Sequence, residues 1–182
     1  KIDPSKIIVT GNTIIDTLFL SLNKIRDNKS IESEIIKTFS LNYKINLQKK
    51  IILITAHRRE NFGKGFENIC EAILELSKIY NDIQFVIPVH LNPNVSVTVK
   101  KFLDDKKNIF LTQPLEYLSF IYLMEKSILI LTDSGGVQEE APSLNKPVLV
   151  LRNNTERPEA LDFGKVKLVG TNKKLIIDET CK

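Results

Sequence analysis

The chain has little cysteine and little histidine, and it lacks long apolar runs, basic stripes and low-complexity tracts. Its two cysteines, Cys70 and Cys181, stand far apart, one in a stretch with helical spacing and one in the tail. Such a pair makes neither a disulfide framework nor a metal-ligand set, so no metal is expected and a reducing compartment is the default. No apolar run reaches the length of a membrane span, and the opening KIDPSK has no signal-peptide pattern. The expectation is a cytoplasmic protein that does not enter a membrane. The net charge is +4 and the pI about 9.0. The pairs Lys49-Lys50, Lys100-Lys101 and Lys106-Lys107 are nevertheless dispersed and read as solvated surface. A nucleic-acid binder would gather its charge into a patch, so nucleic acid is not an expected partner.

What is present is an ordinary globular composition. With 182 residues, 42% apolar and 26% charged, the chain is long enough for one domain with a proper core. Its patterning alternates. Ile7–Val9 is a short apolar β-branched run, with TGNT after it as a turn, and Ile14–Ile25 has helical spacing. Residues 26–47 are more polar, with a helical patch around 31–39, and read as a linker plus one helix. From Lys50 the alternation is regular. Strands are predicted at 51–54, 84–87, 109–111, 128–131, 148–151 and 166–169. Helices are predicted at 66–80, 95–103, 117–125 and 137–144, with a short one at 157–161 and another starting near Asn172. Ile51-Ile52-Leu53-Ile54 shows no polar alternation, the mark of a strand buried on both faces. Parallel strands need long crossovers, so this order predicts an α/β, Rossmann-like, doubly wound parallel sheet with helices on both faces.

In such sheets ligands bind outside the carboxyl ends of the strands. The residues following each predicted strand are therefore the candidates. After 51–54 comes TAHRREN, with His57, Arg58 and Arg59, one of the two arginines being expected to turn inward. After 84–87 comes PVHLNPN, with His90 held between two prolines. After 128–131 comes TDSGG, and after 148–151 comes RNNTERPE, with Arg157. Both histidines of the chain fall at this one edge. FGKGFEN, 62–68, is glycine-rich but has no Lys-Ser or Lys-Thr after its second glycine, so it is not a Walker A loop.

The stretch ILILTDSGGVQEEAP, 128–142, carries the sharpest signal. Gly135-Gly136 lies between a strand end and a helix start, where backbone N–H groups are unpaired and glycine lets a ligand approach them. Ser134 stands where a helix cap would be and adds a hydroxyl. The loop suits a phosphate or diphosphate, and Glu140, about one turn along, has the reach to accept hydrogen bonds from ribose hydroxyls. A tight strand–helix turn followed by helix-capping acids accounts for the same residues equally well.

Taken together and in order, several motifs resemble the non-hydrolysing UDP-N-acetylglucosamine 2-epimerases. They are VTGNTIIDTL (9–18), TAHRRENFGKGF (55–66), PVHLNPNV (88–95), LTDSGGVQEEAPSLNKPVLVLRNNTERPEA (131–160) and GKVKLVG (164–170). The resemblance implies one half of a GT-B architecture, in which two Rossmann-like domains face each other across a cleft. It implies interconversion of UDP-N-acetylglucosamine and UDP-N-acetylmannosamine by elimination and re-addition of UDP, with no cofactor. The UDP-sugar would be the substrate, and the product would serve polysaccharide biosynthesis. By resemblance Ser134, Gly135 and Gly136 hold the diphosphate with His90 beside it. Glu140 takes the ribose, Phe120 lies near the uracil, Arg157 lies near the nucleotide or diphosphate, and His57 is catalytic.

The resemblance also implies a division of the chain. Residues 1–25 would be an interdomain segment and connecting helix, and 26–182 the C-terminal UDP-binding domain. The family's acid and base carboxylates belong to an N-terminal domain that would precede Lys1, and its final segment would follow Lys182. The expectation is a nucleotide-binding half, inactive alone, that works with an N-terminal half in the same or a separate chain and forms a homodimer when complete. A non-catalytic UDP-binding remnant of a split gene and a UDP-sugar glycosyltransferase domain are the competing readings.

Overall fold

The computed structural model describes residues 2–158 and 164–182. Among them six strands form one parallel sheet: β1 (Ile51–Thr55), β2 (Gln84–Pro88), β3 (Ile109–Thr112), β4 (Leu129–Thr132), β5 (Val148–Val150) and β6 (Val166–Leu168). The spatial order is β3-β2-β1-β4-β5-β6. The chain reverses direction across the sheet between β1 and β4, which are paired in register from Ile52 with Leu129 to Thr55 with Thr132. That reversal is where a doubly wound sheet opens a crevice.

Seven α-helices accompany the sheet among the described residues: α1 (Thr13–Asp27), α2 (Lys29–Tyr43), α3 (Lys64–Ile79), α4 (Pro93–Leu103), α5 (Tyr117–Lys126), α6 (Gly135–Ser143) and α7 (Lys173–Thr180). The side chains of β1 alternate between two cores. Ile51 and Leu53 join Leu18, Leu22, Ile25, Phe39 and Met124 on one face. Ile52 and Ile54 join Phe66, Ile73, Val99 and Ile176 on the other. The uninterrupted apolar run of β1 follows from this double burial. Each such branched side chain contributes about 1.5–3 kcal/mol by leaving water.

The N-terminal third holds more helix than the sequence reading expects. Ile7–Val9, the β-branched run, takes no regular structure. Its three side chains are exposed, Val9 at 91%. A β-branched run becomes a strand only beside a partner, and the nearest regular structure is the single 3-10 turn Pro4–Lys6. Within residues 26–47 the expected helix is present as α2, longer than the patch at 31–39, and a single residue rather than a linker joins it to α1. Asn28 ends α1 and begins α2, its side chain accepting from Ser30 N (3.0 Å) and Ile31 N (3.3 Å). One capping residue thus joins two fifteen-residue helices, and α2 buries Ile35 and Phe39. Helix α1 packs on α2, α5 and α6, so its buried face belongs to the same core. Helix α4 starts two residues early because Pro93 fits a first helical position and Asn92 caps it. Helix α6 starts at Gly135, so both glycines lie in its first turn. The short helix expected at 157–161 falls mostly outside the described residues.

Candidate functional site

The site is assembled at the carboxyl ends of β1 and β4. Thr55 and Thr132, register partners, join their hydroxyls at 2.6 Å in a buried hydrogen bond. Asp133 follows, its side chain fully buried. Its Oδ2 accepts from His57 N (2.9 Å), Arg58 N (2.8 Å) and Asn61 Nδ2 (3.1 Å). Asn61 Nδ2 also donates to Leu151 O (3.0 Å), so one carboxylate and one amide tie together the loops after β1, β4 and β5. Three N–H donors on one carboxylate oxygen explain how a buried charge is tolerated here.

The loop fixed in this way carries His57. Its ring stacks on His90 from the loop after β2, with centroids 5.2 Å apart and planes 9° from parallel. His57 Nδ1 stands 3.6 Å from Asp133 Oδ1, at ion-pair distance rather than in a hydrogen bond. Burial lowers the His57 pKa, and the charges of His90 and Arg58 act in the same direction, while Asp133 opposes them. His57 is therefore neutral at pH 7. His90 Nδ1 accepts from Asn92 N (3.1 Å), the turn that leads into α4.

A cleft of about 320 Å³ opens beside the stacked rings. Val89, Leu115 and Phe120 supply an apolar wall, and Ser134, Gly136 and Glu140 supply polar groups. Ser134 occupies the N-cap position of α6, but its side chain makes no capping bond. The first-turn N–H groups have no acceptor within the helix. A methyl-sized atom built on Gly135 would sit 3.6 Å from Arg58 Nη2 and 3.9 Å from Arg157 Nη2. Two guanidinium groups therefore converge on the helix start. Arg157 is steered there by an ion pair with Glu139, whose other oxygen accepts from Asn12 Nδ2 (2.7 Å). The inward-turning arginine of the pair after β1 is Arg58; Arg59 is exposed.

Glu140 lies one further turn into α6 and is 6% exposed. Burial raises its pKa; a hydrogen bond from Tyr117 Oη to Oε1 (3.0 Å) pulls the other way, and Glu139 adds to the rise. Tyr117, in turn, is pushed up to about 12 by burial and by Glu140, so it stays a donor. The arrangement offers an anion site of backbone N–H and guanidinium groups, a buried acceptor about a turn away, and an apolar wall. Among the described residues no group of three or more His, Cys, Asp or Glu side chains could hold a metal.

The structure brings His57, His90, Phe120, Ser134, Gly136 and Glu140 to one cleft, with Gly135 and Arg157 at its helix start. Sequence reasoning passed over Asp133 and Tyr117. Asp133 stood within the TDSGG motif and could have been singled out as an acid directly at a strand end. Tyr117 precedes Phe120 by three residues, one helical turn.

Comparison with known proteins shows the family. The chain matches the family model of UDP-N-acetylglucosamine 2-epimerase over residues 1–182. It is 54% identical over 176 residues to the UDP-N-acetylglucosamine 2-epimerase of Campylobacter jejuni, covering 97% of this chain and 46% of that protein. The chain belongs to the UDP-N-acetylglucosamine 2-epimerase family. A crystal structure of the Neisseria meningitidis epimerase, bound to UDP-N-acetylglucosamine, superposes with a TM-score of 0.92 at 53% identity, covering 99% of this chain and 47% of that one. An Escherichia coli heptosyltransferase with ADP matches at a TM-score of 0.52 and 10% identity over 73% of this chain, a likeness of fold alone. The fold is thus one Rossmann-like half of the GT-B type. The chain spans about half the length of the curated epimerases it matches. Among the described residues no helix is long and apolar enough to cross a membrane.

Proposed function

We propose that the cleft binds UDP and that this chain supplies the nucleotide-holding part of an isomerase that interconverts UDP-N-acetylglucosamine and UDP-N-acetylmannosamine. The observation that carries the reading is the convergence of Arg58 and Arg157 on the uncapped start of α6, about a turn from the buried carboxylate of Glu140. Ser134, Gly135 and Gly136 take the diphosphate, assisted by Arg157 and by His90 beside it. Glu140 accepts from the ribose hydroxyls, and Phe120 lies against the uracil. The crystal structure of the Neisseria relative holds a UDP-sugar, which supports the nucleotide.

In the reaction the proton on sugar carbon 2 is removed, the bond from carbon 1 to the diphosphate oxygen breaks, and a carbon–carbon double bond forms between them. UDP then adds back to carbon 1 while a proton returns to carbon 2 on the opposite face. The diphosphate gains charge as it leaves, so fixed N–H and guanidinium donors stabilise that state more than the ground state. They also retain UDP for the return step. His57, neutral and at the cleft edge, is the proton-handling group of this half. The remaining acid and base come from a second domain that faces the cleft, with residues 1–25 leading in from it. We place the complete enzyme in the cytoplasm as a homodimer.

The test is turnover of UDP-N-acetylglucosamine in deuterated water, followed by proton NMR, using this chain together with the other half that its relatives carry. The expected result is deuterium at carbon 2 and a mannosamine-configured product without any acceptor, both lost in His57→Ala. Acceptor-dependent release of UDP without exchange at carbon 2 would make the protein a transferase instead.

A further inference from the structure

Asp133 does more than clamp loops. Its Oδ2 is saturated by three N–H donors, whereas its buried Oδ1 has no hydrogen-bond partner among the described residues. An orphaned buried acceptor is unfavourable, and more so when it carries charge. The group facing it is His57 Nδ1, at 3.6 Å. A ring nitrogen that turned its lone pair toward this oxygen would repel it; one bearing hydrogen is attracted. Across the stack the constraint is reversed. His90 Nδ1 accepts from Asn92 N, so that nitrogen must carry the lone pair. The rings lie face to face, 9° from parallel, so neither hydrogen-bonds the other in plane and neither dictates the other's tautomer.

We propose that Asp133 and the Asn92 backbone hold the two stacked histidines in opposite tautomers, His57 as Nδ1–H with a lone pair on Nε2, and His90 as Nε2–H. The pair then offers one nitrogen that takes a proton and one N–H that donates to an anionic oxygen. Its use in catalysis rests on the proposed epimerase function; the tautomers themselves do not. Asp133 is a positioning residue, acting through His57. The groups facing His57 are Asp133, His90 and Arg58, and the burial that keeps the ring neutral makes the choice of tautomer meaningful.

The test is nitrogen-15 NMR of histidine-labelled protein at about pH 8.5, above the ordinary imidazole pKa of about 6.5. Only two histidines contribute, so His90→Gln assigns the signals. The expected spectrum shows His57 with a protonated-type Nδ1 and a lone-pair-type Nε2. In Asp133→Asn the carbonyl must serve the three donors that Oδ2 serves now. Its NH2 then faces Nδ1, and the His57 tautomer reverses. A wild-type His57 protonated at Nε2 overturns the proposal, and so does an unchanged tautomer in folded Asp133→Asn. If Asp133→Asn does not fold, the wild-type spectrum decides alone. The experiment needs neither UDP nor turnover, so failure of nucleotide binding leaves its result standing.

Discussion

Replacing Gly136 by alanine separates what this glycine does for the fold from what it does for the cleft. Gly136 is the second residue of α6 and has no positive φ. Apart from its chain neighbours and the backbone of its own helical turn, a Cβ built on it meets no atom of the described residues within 4 Å. The protein itself therefore has no steric need for glycine here, and alanine restricts the unfolded chain more. The substitution should stabilise by about 0.4–1 kcal/mol, which for a chain of this size raises Tm by roughly 1–4 °C. The same methyl group stands on the cleft wall at the helix start. If an anion sits on those N–H groups, the methyl displaces it and forfeits about one charge-assisted hydrogen bond, roughly 1.5–3 kcal/mol. UDP affinity should fall about 10- to 100-fold. Differential scanning calorimetry and isothermal titration read the two effects on one sample. A fall in Tm would show a structural role that the geometry does not reveal. An unchanged Kd would remove the helix start from the binding site.

Glu140→Gln should raise Tm at pH 7. The folded carboxyl has a raised pKa, so the native state binds that proton more readily than the unfolded chain. The stabilisation is present below the ordinary value of 4.5 and is lost as pH rises through the folded value; Gln keeps an acceptor for Tyr117 without the charge. Thermal scans from pH 4 to 8 should show the advantage of Gln shrinking toward pH 4, and a constant difference would contradict the assignment. Glu139→Gln should weaken UDP binding several-fold with little loss of stability, because it loosens Arg157 rather than a core contact; affinity equal to wild type would rule out that steering. Asn108→Ala should destabilise by about 1–3 kcal/mol in urea unfolding yet leave UDP affinity unchanged. The amide of Asn108 is shared by the carbonyls of Ser77, Tyr80 and Ile83, each at 3.0 Å, far from the cleft.

The sheet was legible because its strands are buried on both faces. A run such as Ile51–Ile54, with no polar side chain to turn toward water, fits an inner strand of a parallel sheet once helical segments alternate with it. The motifs at the strand ends then mark the crevice. Local sequence was least informative where a partner decides the outcome. Ile7–Val9 has β-branched chemistry but pairs with no strand among the described residues, and α2 owes its position to Asn28 and to buried Ile35 and Phe39 rather than to a clean apolar stripe. The same holds within the site. His57 and His90 were visible as two rare residues at one edge, but their stacking depends on how the loops after β1 and β2 approach each other. Asp133 is one letter of the TDSGG motif, with nothing local in the sequence to mark its role. Only the fold reveals that it binds the backbone of a loop more than seventy residues earlier.

The central claim is that this cleft holds UDP through the start of α6 and Glu140. Isothermal titration of the chain with UDP, beside Glu140→Ala checked for folding by circular dichroism, tests it most directly. The account predicts saturable one-to-one binding by the wild type, weakened at least about 10-fold by the substitution, the scale of one lost hydrogen bond to a charged group. Equal affinity for both proteins, or no binding by a folded wild-type chain, would contradict it.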